Sequence, residues 1–146
     1  MTLLIRGGTV VNADQLNQAI EAGSQFIVSP GLTERLGRAA IDSGVPFLPG
    51  VASAGDIMRG LDMGLNRFKF FPAETSGGRP GLKALSGPFG DIRFCPTGGI
   101  TPENAPEWLA LDPVLCVGGS WMLNKDDTDL SAIETRARAA AALRTA

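Results

Sequence analysis

One periodicity limits what this chain can fold into. A short β-rich run is followed by Gly, Pro, Ser or Thr, then by a stretch with helical spacing, then by another β-rich run. The runs are LLIRGGTVV (3–11), SQFIVSP (24–30), VPFLPGV (45–51), RFKFFPA (67–73), DIRFCPTGG (91–99) and PVLCVGGS (113–120). They recur about every 20 to 24 residues, the length of a βα unit in a parallel sheet. The runs are apolar almost throughout, as strands covered on both faces must be. No linker or low-complexity segment divides them. The pattern predicts one α/β domain over 1–146, a parallel barrel of about six βα units.

The segments between the runs carry helix signals. Asn12, Thr101 and Asp129 stand at predicted helix starts, and Gly23, Gly44 and Gly64 stand just past predicted ends. Pro102 after Thr101, with acids in the next turn, predicts a helix opening there. In the last segment Leu130, Ile133 and Ala137 form a stripe suited to docking on a sheet.

In α/β folds the functional site lies at the carboxyl ends of the parallel strands. Each run ends there in small or polar residues: Gly7, Gly8 and Thr9; Ser29 and Pro30; Pro49 and Gly50; Pro72; Thr97, Gly98 and Gly99; Gly118, Gly119 and Ser120. The chain has no histidine. That excludes histidine acid–base catalysis, histidine-assisted nucleophiles and histidine metal sites. A charge of −2, with 44% hydrophobic and 19% charged residues, gives no reason to expect nucleic acid or an anionic membrane as partner. No apolar run is long enough to span a bilayer, and MTLLIRGGTV lacks the basic region of a signal peptide, so a cytoplasmic location is expected. Cys95 and Cys116 lie in strand-like runs and are expected to be small buried thiols rather than a disulfide.

Lys69 is the one lysine placed mid-strand; Lys83 falls in a helix-like segment and Lys125 among aspartates. Alternation puts Arg67, Lys69 and Phe71 on one face and Phe68 and Phe70 on the other. Two aromatics suit the helix layer, which points Lys69 into the barrel. Apolar surroundings favour an uncharged amine, a nucleophile that forms a Schiff base with a ketone. The alternative is a lysine paired with a buried acid. The glycine pairs of PTGGI and GGS, each followed by a helical segment or loop, suit an anion held by backbone N–H groups, with Ser120 as a further donor.

The motifs GGTVVN, SPGLT, PFLPGV, FKFFPAE, FCPTGGI and VLCVGGSW run in order along nearly the whole chain. Together they closely resemble the 2-keto-3-deoxy-6-phosphogluconate (KDPG) aldolases, which also act as 4-hydroxy-2-oxoglutarate (KHG) aldolases. The resemblance implies a class I aldolase on a (β/α)8 barrel, a homotrimer, with no metal or other cofactor. Its partners would be a phosphorylated keto acid and pyruvate. The family's Schiff-base lysine matches Lys69 and its substrate-contacting threonine matches Thr9. Pro30 and Phe71 match the walls of the pyruvate pocket. Thr97, Gly98, Gly99, Gly119 and Ser120 match the region holding the carboxylate and phosphate ends. In the family, two further βα units carry a catalytic glutamate and a substrate-gripping arginine, for which this sequence has no matching positions. The resemblance therefore leaves a second expectation, an impaired barrel that binds keto acid or phosphate or serves as an assembly subunit. Glu74, close after the lysine, is expected to cap a helix or to support neighbouring residues.

Overall fold

A computed structural model describes residues 6–123 and 127–143. Residues 3–5 of the first predicted strand, and Lys125, lie outside the described residues. The element order is β1 (Arg6–Gly7), α1 (Ala13–Glu21), β2 (Phe26–Val28), α2 (Glu34–Asp42), β3 (Phe47–Leu48), β4 (Gly50–Val51), α3 (Ala54–Asp62), β5 (Arg67–Phe70), α4 (Gly78–Ser86), β6 (Arg93–Pro96), α5 (Ala105–Leu109) and α6 (Leu130–Ala142).

The first three helices form for the same reason. Each opens on an extended residue whose side chain accepts a backbone N–H: Asn12 from Gln15, Thr33 from Leu36 and Ser53 from Asp56. Such a cap stabilises a helix by about 1 kcal/mol. At α3 the Asp56 carboxylate reaches back to the N–H groups of Ala52 and Ser53, completing a reciprocal cap. The predicted stop glycines Gly23, Gly44 and Gly64 follow these helices at positive φ.

The strands pair in parallel and in chain order, β1-β2-β3 and β4-β5-β6. Right-handed crossovers between neighbours in this order put every helix on one face, which is the (β/α) barrel arrangement. The 45–51 run is divided. Its first half pairs with β2 and its second half with β5, and the break falls at Pro49, which has no N–H to give. Backbone bonds continue across the break, Ser29 N–H to Leu48 O and Lys69 N–H to Pro49 O.

Three expectations need correction. The 113–120 run lies beside β6 but does not form a regular strand. It touches β6 through single bridges, Phe94 to Val114 and Thr97 to Gly118, so four steps on the outer segment match three on β6. Pro96, in the middle, cannot donate to a ladder, and the outer segment bulges there. The helix predicted from Pro102 starts at Ala105 instead, after a turn. Pro106 is tolerated only near a helix start, so it moves the start downstream. Helix α6 does begin on Asp129, but it has no fully buried residue, and Leu130 is 79% exposed.

The larger core lies between β4–β6 and the helices. Phe68, Phe70 and Phe94 are buried there with Trp108, their rings 6.3–6.4 Å apart. Fully burying each such side chain stabilises the fold by roughly 1.5–3 kcal/mol. Helix α3 presses Gly60 onto the Phe68 ring, where a Cβ would come within 2.4 Å of a ring carbon. A smaller core of Val10, Leu16, Ile27, Leu36 and Ala40 holds β1–β3 to α1 and α2.

Candidate active site

The alternation read from RFKFF holds in the structure. Phe68 and Phe70 go to the helix layer, and Lys69 emerges on the opposite face, half-buried. In register beside it on β6 is Cys95, with Thr97 two residues further on. The Phe71 ring lies against the lysine, its centroid 4.3 Å from Nζ. That ring shields the amine on one side and offers its π face to an ammonium. The setting is drier than open surface, yet less enclosed than the sequence predicts.

Lys69 lines a cavity of about 420 Å³ with Thr97, Gly98, Gly99, Ile100, Gly118, Gly119, Ser120, Met122 and Leu123. The lysine and both glycine motifs therefore meet in one space. Six of the sequence-predicted site residues stand there: Lys69, Thr97, Gly98, Gly99, Gly119 and Ser120. Phe71 borders it through its contact with Lys69. Thr9 and Pro30 do not line it. Thr9 is exposed and holds φ at 62°, which is costly for a β-branched residue. Met122 and Leu123 were not legible as site residues, because they follow the last strand in a loop with no period to mark them.

Neither cysteine is fully buried: Cys95 is half-buried and Cys116 exposed, and both are free thiols. The Cys116 side chain hydrogen-bonds Cys95. That bond, then burial and the charge of a neighbouring thiolate, push the Cys95 thiol well above its ordinary range, against the pull of Thr97 and the Lys69 charge. Cys95 thus stays protonated. Among the described residues no group of three or more His, Cys, Asp or Glu is placed to hold a metal ion.

The Gly98–Ile100 segment is held by hydrogen bonds to its peptide groups. Ala73 N–H donates to Thr97 O at 2.8 Å and Glu74 N–H to Gly98 O at 3.2 Å. Asn104 Nδ2 donates to Gly99 O at 3.0 Å. Three successive carbonyls are thus held by residues that do not line the cavity. In a planar trans peptide the N–H points opposite its carbonyl, so the N–H groups of Gly98, Gly99 and Ile100 turn to the other side, where these residues line the cavity. Successive N–H groups so aligned form a nest, an arrangement that can hold an anion. Gly98 and Gly99 adopt φ of 99° and 77° to make it, and a Cβ on Gly99 would lie 2.5 Å from Glu74 Cγ. Glu74 does not cap the following helix, whose N-cap is Gly77 with no side-chain bond. It accepts from Trp108 Nε1 at 2.9 Å instead, which is the supporting role.

A sequence profile described as "Aldolase: KDPG and KHG aldolase" matches residues 1–136. The chain is 52% identical over 143 residues to a 2-dehydro-3-deoxy-phosphogluconate aldolase of Zymomonas mobilis, covering 98% of this chain and 69% of that one. A crystal structure of the 2-keto-3-deoxy-6-phosphogluconate aldolase of Zymomonas mobilis ZM4 with 3-phosphoglycerate superposes with a TM-score of 0.90 at 54% identity, covering 93% of this chain and 65% of that one. A KDPG aldolase from Legionella pneumophila, with pyruvate captured as a covalent carbinolamine, superposes with a TM-score of 0.80 at 44% identity, over 94% of this chain and 66% of that one. The chain spans about two thirds of the length of these relatives. With a profile match over most of its residues and a cavity that joins the strand lysine to the glycine motifs, the chain belongs to the KDPG and KHG aldolase family.

Proposed function

We propose that the protein is a class I aldolase that cleaves 2-keto-3-deoxy-6-phosphogluconate to pyruvate and glyceraldehyde 3-phosphate, and accepts 4-hydroxy-2-oxoglutarate, giving pyruvate and glyoxylate. The observation that carries this reading is the single cavity shared by Lys69 and the Gly98–Ile100 nest. The uncharged Lys69 amine adds to the C2 ketone, giving a carbinolamine that loses water to an iminium. The iminium withdraws the electron pair of the C3–C4 bond as the C4 hydroxyl gives its proton to solvent water. The aldehyde leaves, the enamine takes a proton at C3, and water releases pyruvate and restores the amine. The nest and Ser120 hold the phosphate; Thr97 and Gly119 serve the anionic groups, and Phe71 walls the pyruvate end. Thr9 and Pro30 approach the substrate from outside the cavity wall. The family's trimer is the proposed assembly, supported by the outward apolar side chains Ile41, Met58 and Leu61 on α2 and α3. The proposed setting is the cytoplasm. No described helix is long and apolar enough to cross a membrane.

One observation favours a second reading, in which the chain forms the imine but does not turn over. No Asp or Glu lines the cavity among the described residues, and the cleavage step needs an acceptor for the C4 hydroxyl proton. Pyruvate release from 2-keto-3-deoxy-6-phosphogluconate, measured beside borohydride trapping of pyruvate, separates the two. Turnover that Lys69→Met abolishes supports the aldolase. Trapping without turnover supports the binding form, and neither would overturn both.

A further inference from the structure

We propose that Glu74 is the positioning residue of the anion nest, acting through Asn104 and Trp108 without touching the ligand. The inference rests on the reading of Gly98–Ile100 as the anion end. Glu74 does not line the cavity. Its Cβ and Cγ lie beneath Gly99, at 2.8 and 2.5 Å from where a Cβ would stand, and so form the floor on which that residue rests. Its Oε1 accepts from Trp108 Nε1 at 2.9 Å and from Asn104 Nδ2 at 3.4 Å. The same Asn104 Nδ2 donates to Gly99 O at 3.0 Å, and its Oδ1 accepts from Thr101 N–H at 2.9 Å.

These bonds form one chain of orientation. Trp108 is fully buried, and its indole N–H needs an acceptor, which fixes the Glu74 carboxylate. The carboxylate holds the Asn104 amide with its NH2 toward Gly99 rather than Thr101. That amide turns the Gly99 carbonyl outward, and the planar peptide turns the Ile100 N–H inward. Glu74 reinforces this through its own backbone, whose N–H holds the Gly98 carbonyl at 3.2 Å. The glutamate that closes KFFPAE and the glycine pair of PTGGI are thus one device, split between the segments that follow β5 and β6. Without Glu74 the Asn104 amide keeps only its bonds to Thr101 and Gly99, the floor beneath Gly99 is gone, and the nest loses alignment.

The test measures inorganic phosphate affinity and pyruvate–borohydride adduct at Lys69 side by side. Variants are Glu74→Ala, Glu74→Gln and Asn104→Asp, with thermal melts to establish folding. Gln keeps an oxygen that can accept from both partners. Asp at 104 keeps the bond from Thr101 but replaces the donor to Gly99 with an acceptor, in nearly the same shape. The expected result is a phosphate affinity reduced about tenfold or more in Glu74→Ala and Asn104→Asp, within about threefold of the parent in Glu74→Gln, and adduct formation from unphosphorylated pyruvate retained in all three. Phosphate affinity unchanged in both Glu74→Ala and Asn104→Asp would overturn the proposal. So would adduct yield that falls in step with phosphate affinity, since that marks a general loss of structure. Absence of phosphate binding in the parent protein would instead remove the anion site on which the proposal rests.

Discussion

The two halves of the sheet follow one design with different contents. In the β1–β3 half, the strands are two or three residues long and the core is aliphatic, built on Leu16, Ile27 and Leu36. In the β4–β6 half, β5 and β6 share a ladder of four residue pairs, and the core holds three phenylalanines and a tryptophan. The cavity opens entirely on the second half and on the segment after it. The strand neighbours of Lys69, Phe68 and Phe70, are buried on the opposite face and fix the strand that carries it. The half with the aromatic core carries Lys69. In the other half Thr9 and Pro30 follow β1 and β2 and do not line the cavity.

Damage to the two cores should therefore have different consequences. Phe70→Ala should cost about 3–5 kcal/mol of stability and abolish adduct formation at Lys69 even where the variant remains folded. Chemical denaturation paired with pyruvate–borohydride trapping checks both parts. Leu36→Ala, in the aliphatic core, should cost about 3 kcal/mol, yet its folded fraction should form the adduct as the parent does. Equal loss of adduct in both variants would show that the halves act as one unit.

The same contrast tells how much could be seen in the sequence. Local rules dominate where each residue answers only to its own turn or strand. Asn12 and the stop glycines Gly23, Gly44 and Gly64 fall where sequence signals put them, and so does the opposition of Lys69 to Phe68 and Phe70. The failures come where a neighbour decides. The outer 113–120 segment looks like a strand by composition, but Pro96 on β6 denies it a bond and shifts its register. Asn104 looks like an ordinary helix residue, but its side chain is taken by Gly99 and Thr101. Thr9 sits at a strand end by pattern, while its φ of 62° carries no sequence mark, because glycine and not threonine is the usual occupant of that conformation. Leu130 has the spacing of a docking residue, yet the face it would cover is not buried among the described residues.

Two smaller predictions sharpen the comparison at its seam. Asp56 opens α3, which packs on β5. Partial burial raises its pKa, but hydrogen bonds from the Ser53 side chain, the Ala52 N–H, Arg59 and the Ser53 N–H outweigh that and hold it below its ordinary value. A carboxyl depressed on folding contributes stability above its unfolded pKa of about 3.9 and loses it as pH falls through the lower folded value. Asp56→Ala should therefore cost about 1 kcal/mol at neutral pH and progressively less below about pH 4. Thermal melts of the two proteins at pH 7 and pH 3 measure the difference. Thr9→Gly should stabilise the first half by about 0.5 kcal/mol, as relief of a strained φ exceeds the added freedom of the unfolded chain. Denaturant titration checks the gain, and reduced pyruvate release in the same variant would give Thr9 a part in the site.

The central claim is that the amine of Lys69 and the glycine nest address one bound molecule. Peptide mapping by mass spectrometry, after pyruvate and borohydride with and without 3-phosphoglycerate, tests it most directly. The account predicts a reduced pyruvyl group on Lys69, absent from Lys83, and less of it when 3-phosphoglycerate is present. Label spread equally over both lysines, or label on Lys69 indifferent to 3-phosphoglycerate, would contradict it.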